Sequence, residues 1–94
     1  MFELAPKPRF TRELKKLVKK QPELAETVKM VLARLRENPR DPRLKSHKAY
    51  DSDGVPLYSV EVTGDIRIGW DYGEPGVIDL LRIGGHSGSK KIYR

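Results

Sequence analysis

Partway along this chain the apolar residues change their spacing, from one every three or four positions to one every second position. No other feature limits the fold as much. Phe10, Leu14, Leu17 and Val18 fall at i, i+4, i+7 and i+8, the stripe of an amphipathic helix that starts near Pro8 or Thr11. Leu24, Val28, Val31, Leu32 and Leu35 repeat the stripe. Between the two, Gln21-Pro22 breaks the first helix, and Pro22 suits the first position of the second. Glu23 and Glu26 complement the dipole at that helix's start, and Arg34 and Arg36 at its end, before Asn38-Pro39 stops it.

Beyond Pro56 the period is two. Leu57–Val62 alternates, with Tyr58, Val60 and Val62 on one face and Leu57, Ser59 and Glu61 on the other. After the turn Thr63-Gly64-Asp65, the residues Ile66, Ile68, Trp70 and Tyr72 share a face, opposite Arg67, Gly69 and Asp71. Gly73-Glu74-Pro75-Gly76 is a second turn and Val77–Ile83 a third, more continuously apolar strand. Phe2–Leu4 suits a short strand, and Arg40–Pro56, rich in turn formers, is expected to be irregular. The short turns imply antiparallel neighbours. The pattern predicts an α+β fold, β-α-α-β-β-β, with a helical hairpin packed on one face of a small twisted antiparallel sheet. Ser59, Glu61 and Arg67 would then lie on the other, polar face, a shallow cradle for an extended ligand.

Length, cysteine content and charge narrow the function. Ninety-four residues predict one domain, residues 1–94. The absence of cysteine excludes a disulfide framework, a thiolate zinc site and a cysteine nucleophile, and suits an intracellular, cytoplasmic protein. Met1–Phe10 has two prolines and no apolar run, so no signal peptide is expected, and no stretch is apolar enough to span a membrane. The net charge is +6, unevenly spread. Met1–Lys48 holds 14 basic residues against 6 acidic, Ala49–Arg82 holds 2 against 7, and Ile83–Arg94 adds 3 basic residues and no acid. Basic ends of this kind suit a polyanion, although lysines that simply solvate two helices would also produce them.

Arg67, His86, Lys90 and Tyr93 could together carry chemistry. Arg67 sits mid-strand, where a guanidinium either pairs across the sheet with Glu61 or Asp71 or grips a phosphate with two donors. His86, in Gly84-Gly85-His86-Ser87-Gly88-Ser89, can take and give protons near neutral pH. Lys90, Lys91, Tyr93 and Arg94 combine cations for phosphates with a ring for a base. RNA cleavage without a metal needs such a set: a base for the 2′-hydroxyl proton, cations for the phosphorane and an acid for the leaving 5′-oxygen. His47 and His86 lack metal-ligand spacing, so neither a metal nor another cofactor is expected. The glycine-rich loop does not fit a phosphate-binding P-loop, because Ser89 precedes Lys90 and only six residues follow Gly88.

Several of these segments in order make the chain resemble the RelE/ParE superfamily of toxins, and within it the mRNA interferases of RelE and YafQ type. They are the hairpin Arg12–Asn38, the Pro-Arg-Leu-Lys segment Pro42–Lys45, Tyr58–Val62, Gly64–Ile68, and Leu81–His86 with Lys91–Arg94. The resemblance implies a RelE-like fold and a ribosome-dependent endoribonuclease that cuts mRNA in the A site. It also implies neutralisation by a cognate antitoxin, and leaves open that the toxin–antitoxin complex binds operator DNA. Under it Arg67, His86, Tyr93 and Asp65 are the catalytic candidates. Lys45, His47, Lys48, Lys90, Lys91 and Arg94 would contact RNA. Glu61 and Ser59 stand where RelE itself carries lysines, and Ser87 stands where an arginine often follows. A gyrase poison of ParE type and a non-catalytic antitoxin-binding member are the other readings of the same fold.

Overall fold

The computed structural model describes residues 1–85; residues 86–94 lie outside that description. Strand β1 (Glu3–Pro6) leads into helix α1 (Pro8–Lys20), which is followed by helix α2 (Leu24–Glu37). A single 3-10 turn, Pro42–Leu44, precedes four further strands: β2 (His47–Tyr50), β3 (Pro56–Glu61), β4 (Ile66–Tyr72) and β5 (Val77–Gly85). The α+β class and the helical hairpin are as the periodicity predicts. Pro8 occupies the first turn of α1, where its missing N–H costs nothing, and Lys19 and Lys20 sit in the last turn against the helix dipole. Helix α2 begins at Leu24 rather than Pro22, because Leu24 and Ala25 donate their N–H groups back to the carbonyls of Gln21 and Pro22 in a tight turn.

The sheet departs from expectation in two respects. It has five strands in the order β1-β5-β4-β3-β2, and it is mixed, because β1 runs parallel to β5 while the other pairs are antiparallel. The strands β2 to β5 form a meander, and it is the last of them that comes alongside β1, running in the same direction. The extra strand is β2, inside the segment expected to be irregular. His47, Lys48 and Tyr50 are exposed, so the strand buries no apolar face from which alternation could be read. It exists because its backbone pairs with β3, from His47 opposite Ser59 to Tyr50 opposite Pro56. Lysine and histidine on a short edge strand also discourage further strand pairing.

The two helical stripes close over one sheet face. Phe10, Leu24, Val28, Val31 and Leu35 pack with Val60, Ile66, Ile68, Trp70, Ile78, Leu80 and Ile83 in one buried cluster. Each such side chain contributes about 1.5–3 kcal/mol by leaving water. Tyr58, Trp70 and Tyr72 extend the core as an aromatic group, with Tyr58 stacked on Trp70 at 4.9 Å between ring centres and Tyr72 edge-on to both. Among the described residues, no helix is long and apolar enough to cross a membrane.

The opposite face is only partly open. A register shift at Gly69/Trp70 pairs Gly69 with Arg82 and Trp70 with Leu80, so Leu81 is the extra residue of a β-bulge. Leu81 packs with Ala49 and Leu57 in a second small apolar cluster on this outer face. Gly69 makes room for it: a side chain there would place its Cβ 2.9 Å from Leu57 Cδ2. Leu35 is fully buried on α2, whereas Met30 of the same helix is 48% exposed. Leu35→Ala should therefore lower unfolding stability by about 2–5 kcal/mol, and Met30→Ala should leave it within about 0.5 kcal/mol, both read from urea denaturation.

Candidate functional site

Arg67 lies near the start of β4, where alternation points it away from the helices. Its neighbours across the sheet are Glu61 on β3 and Gly84 on β5. Having no side chain, Gly84 leaves the β5 side of the guanidinium uncrowded. The Arg67 side chain is only 17% exposed, yet its one described ion pair, Nη2 to Glu61 Oε1, is 4.0 Å long. Its Nε is buried without a hydrogen-bond partner among the described residues. Of the two cross-strand partners that the sequence offers, the structure chooses Glu61; Asp71 is paired in register with Asp79. A largely buried guanidinium can hold an oxyanion with two hydrogen bonds far shorter than this ion pair.

Glu61 also reaches Lys45, whose Nζ is 3.6 Å from Oε2, so Lys45, Glu61 and Arg67 form a row across the polar half of the outer face. The 3-10 turn before it positions Lys45. Pro42 fixes the start of this turn, and buried Leu44 anchors it in the core. Asp41 caps it by accepting the Arg43 N–H at 2.9 Å. Lys45 follows in the left-handed conformation (φ 51°), which costs a non-glycine residue about 1–2 kcal/mol. His47 Nδ1 lies 3.4 Å from the Lys45 carbonyl oxygen, and His47 stands opposite Ser59 in the adjoining row. Lys48 stands opposite Tyr58 and so on the other face of β2. Asp65 is exposed in the turn two residues before Arg67, where Thr63 Oγ1 accepts the N–H groups of Asp65 and Ile66. The structure thus brings Lys45 and Arg67 together through Glu61, sets His47 beside them and separates Lys48. His86, Lys90, Lys91, Tyr93 and Arg94 lie outside the described residues.

A second polar group, missed on sequence, braces this face. Arg82 is 6% exposed and forms a two-pronged pair with Glu13 of α1, at 2.9 Å from Nε and 2.8 Å from Nη2. Glu13 also accepts the Ile83 N–H at 3.2 Å. From the β2–β3 loop, Ser52 Oγ lies 3.4 Å and Asp51 Oδ2 lies 3.8 Å from Arg82 Nη1. Asp51 in turn holds its own loop by accepting N–H groups from Asp53 and Val55. Hydrogen bonding to Glu13 raises the Arg82 pKa above its already high ordinary value. An arginine in a largely apolar strand gives no advance sign of a partner 69 positions away. Among the described residues, no group of three or more His, Asp or Glu side chains could hold a metal ion.

No family model and no curated protein matches the chain. Solved structures do. A metal-bound toxin from Helicobacter pylori aligns at 24% identity over 92% of this chain and 96% of its own, with a TM-score of 0.72. The E. coli DinJ–YafQ complex aligns at 18% identity over 92% of this chain and 94% of that one, with a TM-score of 0.70. A YoeB/ParE toxin from Agrobacterium tumefaciens aligns at 11% identity over 92% and 100%, with a TM-score of 0.73. The chain therefore has the fold of the RelE/ParE toxins, five strands and a helical hairpin included.

Two electrostatic predictions follow from the site. Arg82→Met should destabilise the fold by about 3–5 kcal/mol, because it strands Glu13 beside Asp51. Arg82→Met with Glu13→Gln should recover part of that loss in the same denaturation assay. The Arg43 guanidinium, bound to both Asp41 oxygens, holds the Asp41 carboxyl down at about 2 from an ordinary 3.8. A depressed carboxyl stabilises the fold fully above its unfolded value and loses that contribution as pH falls through its folded one. Asp41→Asn should therefore lower the melting temperature at pH 6, with the difference from the parent shrinking between pH 4 and pH 2.

Proposed function

We propose that this chain is the toxin of a toxin–antitoxin pair and acts as a ribosome-dependent endoribonuclease that cleaves mRNA in the A site. The observation that carries the reading is the state of Arg67: a strand-mounted guanidinium, mostly out of water, which among the described residues has an unpartnered Nε and a single ion pair 4.0 Å long. It faces a glycine and has Lys45 in the same row. A phosphodiester over this row would exchange the Glu61 contact for two charge-assisted hydrogen bonds.

The reaction needs no group from outside the chain and its substrate. A base takes the proton of the 2′-hydroxyl and the 2′-oxygen attacks phosphorus. The bond to the 5′-oxygen breaks as an acid protonates it, leaving a 2′,3′-cyclic phosphate and a 5′-hydroxyl. Arg67 stabilises the charge that grows on the phosphorane. His86 carries one of the two proton transfers, Tyr93 orients or stacks the substrate, and Asp65 assists at the mouth of the β3–β4 turn. Lys45, His47, Lys48, Lys90, Lys91 and Arg94 hold message or ribosomal RNA. The likeness to YafQ in its complex with DinJ supports a cognate antitoxin as partner. We assign the active protein to the cytoplasm, and operator binding to the complex with its antitoxin.

The test is primer extension on a message held in programmed ribosomes. Wild-type protein should give new stops at the A-site codon, and a folded Arg67→Ala variant should lose about 10²–10³-fold in rate, the loss typical of one oxyanion donor. His86→Ala should also lose cleavage. An intact message, together with growth arrest on expression, would instead favour a gyrase poison of ParE type.

A further inference from the structure

Where the 3-10 turn and the start of β2 leave the core, a groove of about 450 Å³ opens beside the aromatic group. That volume falls within the roughly 300–1,000 Å³ of ordinary small-ligand sites. Tyr58, Trp70 and Tyr72 form its aromatic wall, and Arg40, Lys45 and Ser46 line the facing segment. Two hydrogen-bonding groups of its lining residues are buried without partners among the described residues, the Trp70 indole Nε1 and the Ser46 hydroxyl. The one acid of the lining, Asp41, has both carboxylate oxygens engaged by Arg43, at 2.7 Å to Nη2 and 3.1 Å to Nε. Arg40 and Lys45 therefore leave the rim positive. Aromatic rings beside cations match the chemistry of an unpaired nucleotide: a planar base that stacks, and a phosphate.

We propose that this groove is a ribonucleotide subsite, which takes the base and phosphate of an unpaired nucleotide farther along the strand held at Arg67. The link is Lys45, which lines the groove and also reaches Glu61, the ion-pair partner of Arg67. The aromatic wall lies on the helix side of the sheet and Arg67 on the other, so a strand crossing the Arg67 row would meet Lys45 and pass around the β2 edge to reach the groove. This rests on the nuclease reading for the second nucleotide, whereas the groove's own preference for nucleotides does not.

Trp70 is the only tryptophan in the chain, so tryptophan fluorescence reports on the groove's aromatic wall and the core directly behind it. Titration of the full chain with adenosine and uridine 5′-monophosphates should give a saturable change, and inorganic phosphate at matched ionic strength should give none. Arg40→Glu should weaken binding at least tenfold; Arg40 is exposed and its side chain supports no described contact, so the variant should fold. Tyr72→Ala, checked by its melting curve, should weaken it similarly. No saturable change at millimolar nucleotide would overturn the proposal, as would binding that Arg40→Glu leaves unaltered. A response to a peptide of alternating glutamate and leucine, with none to nucleotides, would overturn it in favour of a protein-docking groove. Because no ribosome or cleavage enters the measurement, its failure leaves the Arg67 reading standing. Failure of cleavage on ribosomes, in turn, leaves nucleotide binding in the groove intact.

Discussion

Arg82 meets three parts of the chain at once, and the arrangement of the outer sheet face depends on that meeting. Its guanidinium takes both oxygens of Glu13 from α1 and turns toward Ser52 and Asp51 from the β2–β3 loop. Glu13 accepts the Ile83 N–H as well, beyond the last residue of β5 that β1 pairs with. Helix α1 thus supplies, through one carboxylate, a hydrogen bond that β1 is too short to provide. Arg9 repeats the tie one turn earlier by pairing with Asp53 at 2.9 Å. A buried ion pair of this kind adds little net stability over an apolar substitute, but losing one partner is costly. Its value here is positional, since it fixes where the loop and the C-terminal half of β5 sit.

Holding the loop in place divides the outer face into two regions. At one end Leu57, Ala49 and Leu81 are covered and Gly69 leaves them room. At the other end Lys45, Glu61 and Arg67 remain partly open. The bulge at Leu81 connects the regions, because the extra residue restores Ile83 to the helix side, where it packs in the main core. Gly84 consequently falls beside Arg67. A one-residue offset in β5 would otherwise exchange the faces of every later residue.

The Lys45–Glu61–Arg67 row is a poised electrostatic arrangement. One carboxylate shares itself between two cations at 3.6 and 4.0 Å, too far for strong hydrogen bonds to either. Among the described residues neither cation has its donors filled by this carboxylate, and Glu61 limits the repulsion between them. Lys45 comes into this row from the 3-10 turn, at the cost of a left-handed backbone at that residue.

The helical stripes, their breakpoints and the strands β3, β4 and β5 were legible in the residues, because each buries a face whose periodicity follows directly from its backbone geometry. The outward direction of Arg67 was legible for the same reason, whereas the choice of Glu61 over Asp71 as its partner needed the strand register. Strand β2 was not, since it is defined by backbone hydrogen bonds to β3 and buries no periodic face. The parallel pairing of β1 was hidden too, because strand direction depends on which strand of the meander arrives beside it. The Arg82–Glu13 pair spans 69 positions, and the groove at Trp70 joins segments that only folding brings together. Local periodicity determined which elements form and which faces they bury. Tertiary packing alone decided which polar side chains meet, because an ion pair or an unfilled donor depends on distances that no local pattern encodes.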